Sequence, residues 1–235
     1  MNETQSHFQP LNVVSESEKA EFIRQTYLHV TFAVLGFVVL ELILFQTGVA
    51  YSIASLMLSG QYTWLIVLGG FMFVSYQAEK WARSSTSKQM QYAGLFLYTL
   101  GEAIIFVPLL MIAASFSGGE LIQKAALMTI FLFVGLTIVV FTTKKDFSFL
   151  RNVLVVGGFV AMGLIVLGII FGFELGLFFS FAMVALAAGS ILYQTSNLIH
   201  HYQTGQHVAA ALALFASLML LFWYILRIFI ALSDD

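Results

Sequence analysis

The chain has 235 residues, of which 60% are hydrophobic and 9% charged, against roughly 25% charged in an ordinary soluble domain. So little charge excludes a water-soluble globule, and the expected solvent is the lipid bilayer. A net charge of −2 points to no nucleic-acid partner, and the lack of cysteine excludes disulfides, iron–sulfur clusters and thiolate zinc sites.

Residues 1–25 are polar and mixed in charge, without the basic and then apolar stretches of a cleavable signal peptide. They are expected to form a partly disordered cytoplasmic tail, ahead of a single seven-helix transmembrane domain over 26–235. Ser15-Glu16-Ser17-Glu18 has the spacing of a capping box that opens the first helix. Beyond it, apolar stretches predict membrane spans near 27–46, 62–78, 93–115, 121–142, 152–172, 175–199 and 208–231. The predicted class is all-α, a bundle of seven transmembrane helices. Pro108, inside the third span, removes one backbone donor and is expected to bend that helix.

Basic residues set the expected orientation. Lys19 and Arg24 precede the first span, Lys80, Arg83 and Lys88 lie between the second and third, and Lys144, Lys145 and Arg151 lie between the fourth and fifth. All share one side of a seven-span topology, which predicts a cytoplasmic amino terminus and an external carboxyl terminus. Lys124 and Arg227 fall on the other side. Gly168, Gly172 and Gly176, and Gly157 with Ala161, keep the four-residue spacing that permits close helix contact, although glycine is common in membrane helices for other reasons.

A charge at the bilayer centre costs about 3 kcal/mol on insertion scales, so each intramembrane carboxylate needs an explanation. Glu41, in the first span, is either a span-end residue near the interface or part of a polar path. Glu102 lies six residues before Pro108 and is read as a member of a buried polar network or a cation path. Glu174 falls in a turn. The sixth span ends in Tyr193-Gln194-Thr195-Ser196-Asn197-Leu198-Ile199-His200-His201, where helical spacing puts Tyr193, Asn197 and His201 on one face. These groups either bond across helices or line a watery vestibule. His200, His201 and His207 lie at or beyond the helix end, where solvated histidines are a better reading than a three-histidine metal site. Ser217, in the seventh span, has the simplest explanation of a hydrogen bond to its own helix backbone.

Enzyme chemistry finds little support. The chain has no His-Glu-x-x-His zinc motif, no serine nucleophile loop and no phosphate-cradling glycine loop. Asp146, Asp234 and Asp235, the only aspartates, lie outside the spans, and the seventh span has no lysine for a retinal Schiff base. No cofactor or metal is expected.

Four stretches together resemble the Bax inhibitor-1 family, also called the transmembrane Bax inhibitor motif family. They are the loop Thr143-Lys144-Lys145-Asp146-Phe147-Ser148-Phe149-Leu150, the opening Arg24-Gln25-Thr26-Tyr27-Leu28, the sixth-span Gly189-Ser190-Ile191-Leu192-Tyr193, and a last span running through Arg227 to Ser233-Asp234-Asp235. Thr195 to His200 is similar to the proteobacterial branch that modulates the membrane AAA protease FtsH. The resemblance implies a last helix enclosed by the other six, a bacterial inner-membrane location and a non-enzymatic role as a protease modulator. In that reading the tail is either a disordered handle for the protease or, a slightly better reading, simple slack. The resemblance also implies an alternative, a calcium or proton leak through the bundle. Family members of that kind are latched by two titrating aspartates, whose positions here hold Gln194 and Ser217. Glu41, Glu102, Gln194, Asn197 and Ser217 are therefore the candidate ion-path or gating residues, and Lys144, Lys145 and Asp146 the candidate loop motif.

Overall fold

A computed structural model describes residues 9, 11, 13–60, 62–84 and 87–233. The first eight residues of the expected tail and the terminal Asp234-Asp235 lie outside the described residues. The described chain forms eight α-helices. These are α1 (Glu16–Gln46), α2 (Val49–Met57), α3 (Thr63–Ala82), α4 (Lys88–Ser117), α5 (Glu120–Thr143), α6 (Leu150–Phe171), α7 (Gly176–His200) and α8 (His207–Ala231).

Ser15 caps α1 as its spacing predicts. The Ser15 hydroxyl accepts from the Glu18 amide at 3.3 Å, and the Glu18 carboxylate accepts from the Ser15 amide at 3.1 Å. The helix consequently starts at Glu16, so residues 16–25, expected within the tail, are helical. The segment before it is also tied down. Leu11 N–H donates to the Tyr202 carbonyl at 3.2 Å, Thr204 N–H to the Gln9 carbonyl at 2.9 Å, and the Gln9 amide to Thr204 Oγ1 at 3.0 Å. The Leu11 side chain is 1% exposed and packs with Phe22, Leu198, Tyr202 and Leu214.

The short α2 is an element that the span reading missed. Gly48, at φ +76°, turns the chain after α1. Nine residues then form a helix whose Ala50 and Ala54 pack on Val107 of α4, while Tyr51 and Leu56 face outward. Hydropathy alone cannot separate so short an apolar helix from a loop.

Six helices (α1, α4, α5, α6, α7 and α8) are long and apolar enough to cross a membrane. The 20-residue α3 is not one of them, because its last turns carry Gln77, Glu79 and Lys80. The outward faces of the long helices are rich in Phe, Val, Ile and Leu, as lipid contact requires. α8 differs. It packs against α1, α3, α4, α5 and α7, and its Ala, Leu and Phe side chains from Val208 to Leu226 are mostly buried. α4 runs without a break through Pro108, which is itself buried.

The glycines divide by role. A β-carbon on Gly157 would stand 2.7 Å from Leu186 Cδ1, so this residue does mark a close contact of α6 with α7. Gly168 approaches the Phe173 carbonyl. Gly172 and Gly176, at φ +70° and +64°, are instead turn residues with open space beside them, so the four-residue series is not a packing stripe. The tightest position is Gly94, which the spacing did not single out. A β-carbon there would meet Ala78 O at 2.5 Å and Ala82 N at 2.6 Å, where α4 lies against α3.

Candidate functional site

A cavity of about 1150 Å³ lies among α3, α4, α6, α7 and α8. Its lining runs along α7 from Gly176 to Gln194, about 27 Å at 1.5 Å per residue. The wall is mostly apolar; its polar members include Glu79, Tyr98, Glu102, Ser190, Gln194 and Ser217, with Glu174 in the α6–α7 turn and Arg227 near the end of α8 adding charge. Three of the five residues singled out from sequence, Glu102, Gln194 and Ser217, thus line one space.

Glu102 is 5% exposed, and its carboxyl lies against the Tyr98 hydroxyl one turn earlier on α4. Across the cavity, Ser217 bonds in two directions. Its hydroxyl donates to the Ala213 carbonyl at 2.9 Å, the bond to its own helix that sequence suggested, and lies 2.8 Å from the Ser190 hydroxyl of α7. α7 and α8 are therefore joined here by two neutral hydroxyls, and Gln194, half-buried, lines the cavity one turn away from Ser190. Sequence missed Ser190 as the partner because the two serines are 27 positions apart. It also missed Glu79, which reads as a helix-end charge and pairs with Arg83 at 2.8 Å.

Glu41 and Asn197 stand elsewhere. Asn197 is buried at the end of α7, where its carbonyl accepts from the His201 and Tyr202 amides. Glu41 is 7% exposed in a separate apolar groove, and neither carboxyl oxygen has a hydrogen-bond partner among the described residues.

A second polar assembly fastens the α5–α6 loop to the end of α7. Lys144 caps α5 in the left-handed conformation at φ +50°, its amide donating to the Val140 carbonyl at 2.8 Å. Lys144 and Lys145 are exposed. The Phe147 amide donates to Ser196 Oγ at 2.9 Å, and the Ser196 hydroxyl faces Asp146 Oδ1 at 3.4 Å. Asp146 Oδ1 accepts from the Ser148 amide at 2.8 Å, and Oδ2 lies 3.3 Å from His201 Nε2. The Ser148 amide, with further help from His201, holds the Asp146 carboxyl below the usual carboxylate range.

The histidines do not assemble as a trio. His207 packs at a tilt beside His29 of α1, ring centroids 5.0 Å apart, and His29 in turn stacks on Tyr92 of α4 at 5.4 Å. His200 and His201 stay together at the α7 end. Among the described residues, no group of three or more His, Asp or Glu side chains is placed to hold a metal ion.

Comparison with known proteins follows the same lines. Residues 19–234 match the family model described as inhibitor of apoptosis-promoting Bax1. An uncharacterized protein of Pseudomonas aeruginosa is 32% identical over 229 residues, covering 95% of each chain. The Modulator of FtsH protease YccA of Escherichia coli K12 is 30% identical over 190 residues, covering 80% of this chain and 83% of the relative. The same identity and coverage hold for a second Escherichia coli relative, named inner membrane protein YccA. With its apolar helices and this match across nearly its whole length, the chain is a multi-pass membrane protein and belongs to the Bax inhibitor-1 family.

Proposed function

We propose that this protein is a non-enzymatic regulator of a membrane-bound AAA protease of the FtsH type, residing in the bacterial inner membrane. The observation that carries the reading is the 30% identity, over four-fifths of both chains, to a relative named for modulating that protease. The site chemistry agrees with it. The positions that the family resemblance assigns to a titrating pair hold Gln194 and Ser217, and α7 meets α8 through the Ser190 and Ser217 hydroxyls, which do not ionise in the physiological range.

In this reading α3 joins the six apolar helices to make seven crossings, with α8 enclosed, as its burial and its five helix neighbours suggest. The cluster of basic residues near the α3–α4 and α5–α6 loops then faces the cytoplasm together with the amino terminus. A processive protease needs an unfolded end to grip. Gln9 and Leu11 are bonded to the α7–α8 loop, so a protease taking hold of the amino-terminal segment meets that attachment first.

The test is co-purification with the protease and the turnover of one of its membrane substrates, with and without residues 1–8. Slower substrate turnover in the presence of the full chain supports the reading. Unchanged turnover and no association refute it.

The cavity itself favours a second reading, a slow leak of calcium or protons past Glu102. Purified protein in liposomes would then pass ions between about pH 5 and 8, and Glu102→Gln would abolish the flux. Liposomes that stay tight across that range exclude it.

A further inference from the structure

The unpartnered Glu41 carboxyl lies in a groove of about 350 Å³ formed by α1, α4, α5 and α8, at the small end of the range for ligand sites. Apart from Glu41, the wall is apolar side chains and Thr129. The Thr129 hydroxyl already donates to the Ala125 carbonyl at 2.7 Å. The wall therefore supplies no donor to either carboxyl oxygen, and an acidic group removed from water without donors is strongly disfavoured.

The position of the acid along the groove is informative. Glu41 lies five residues before the end of α1, about 7.5 Å from it. The wall runs inward from Glu41 to Val34, about 10 Å deeper along the same helix, and outward to Phe45, about 6 Å in the other direction. The acid thus has apolar wall on both sides, with the longer stretch running toward the middle of α1. One acid set off centre in an otherwise apolar groove matches a molecule with a charged head and one hydrocarbon chain.

We propose that this groove binds a single-chain cationic amphiphile, an alkylammonium whose nitrogen donates to Glu41 and whose chain lies between Val34 and Met219. An ammonium brings three donors and the opposite charge, which supplies what both carboxyl oxygens lack. An alcohol of the same length brings the chain and one donor, without the charge. A fatty acid would place a second acid against Glu41.

The test uses the full chain in non-ionic maltoside micelles, titrated with decylammonium or with decanol and followed by native mass spectrometry. Decylammonium is expected to bind at least about tenfold more tightly than decanol, the factor for one charge-assisted hydrogen bond. Glu41→Gln is expected to remove that preference and leave decanol binding unchanged. Ala126→Phe, which fills the groove and keeps the acid, is expected to weaken both ligands. Equal binding of the two ligands by the unaltered protein overturns the proposal, leaving the groove as an ordinary lipid-facing surface. An ammonium preference that survives Glu41→Gln, or decylammonium binding that Ala126→Phe does not weaken, overturns it as well, and the second variant decides the matter if the first does not fold.

Discussion

Replacing Gly94 by alanine adds one carbon at the closest approach of α4 to α3. That carbon would stand 2.5 Å from Ala78 O, 2.6 Å from Ala82 N and 3.1 Å from Trp81 Cβ. The first two neighbours are backbone, so no side-chain rotation relieves the overlap, and α3 must move as a unit. Ala78 and Ala82 are fully buried, which leaves little slack on that face. Overpacking of this kind typically costs 1–3 kcal/mol, offset by the roughly 0.5–1 kcal/mol that alanine gains over glycine inside a helix. A net loss of about 1–2 kcal/mol is expected, or a melting temperature lower by about 2–8 °C at the usual scaling for a chain of this size. Gly135→Ala in α5 is the matched control, since a β-carbon there meets nothing within 4 Å; it should melt at or slightly above the unaltered protein. Melting curves in the same detergent check both. If Gly94→Ala melts at or above Gly135→Ala, the argument that backbone contact closes α3 against α4 is wrong.

Three further outcomes follow from the geometry. Ser190→Ala and Ser217→Ala should each lower stability modestly, and the double variant should show a coupling of about 0.6 kcal/mol, the average for hydrogen bonds between membrane helices; strictly additive melting shifts would deny the 2.8 Å contact any energetic role. Because the folded protein holds the Asp146 carboxyl below its ordinary range, the stabilisation that the ionised group provides is present above about pH 4 and fades as pH falls through the lowered value. Asp146→Asn should accordingly melt below the unaltered protein at pH 7 and converge with it under strong acid, and a difference constant with pH would refute the assignment. Leu11→Asp should release the segment before α1 and speed trypsin cleavage after Lys19 in detergent, whereas an unchanged rate would mean that the buried Leu11 does not hold the segment.

Helix positions were readable from hydropathy because lipid exposure demands long apolar runs, and α5 through α8 begin and end within two residues of the expected spans. The capping box at Ser15 was readable for a local reason, since both of its bonds lie within four residues. Features that depend on neighbours distant in sequence were not. Gly94 looks like any membrane glycine until α3 is placed beside it, while Gly172 and Gly176 imitate a packing stripe although their backbone makes turns. In the candidate site, polarity within the spans located Glu102, Gln194 and Ser217, which line one cavity. The same criterion could not tell that Glu41 faces a different groove, nor that Ser196 would hold the amide of Phe147 across 49 positions. His207 was grouped with its chain neighbours, whereas α1 supplies its partner, His29.

The attachment of Gln9 and Leu11 to residues 202 and 204 makes a mechanical connection. A force applied at the amino terminus is delivered to the turn joining α7 and α8 before it reaches α1. The helix with the most thoroughly buried surface in the protein is thus coupled to the first point of traction. Any machine hauling on that end must break this anchorage at the outset, so the early effort of extraction is set by the two backbone hydrogen bonds and the socket around Leu11.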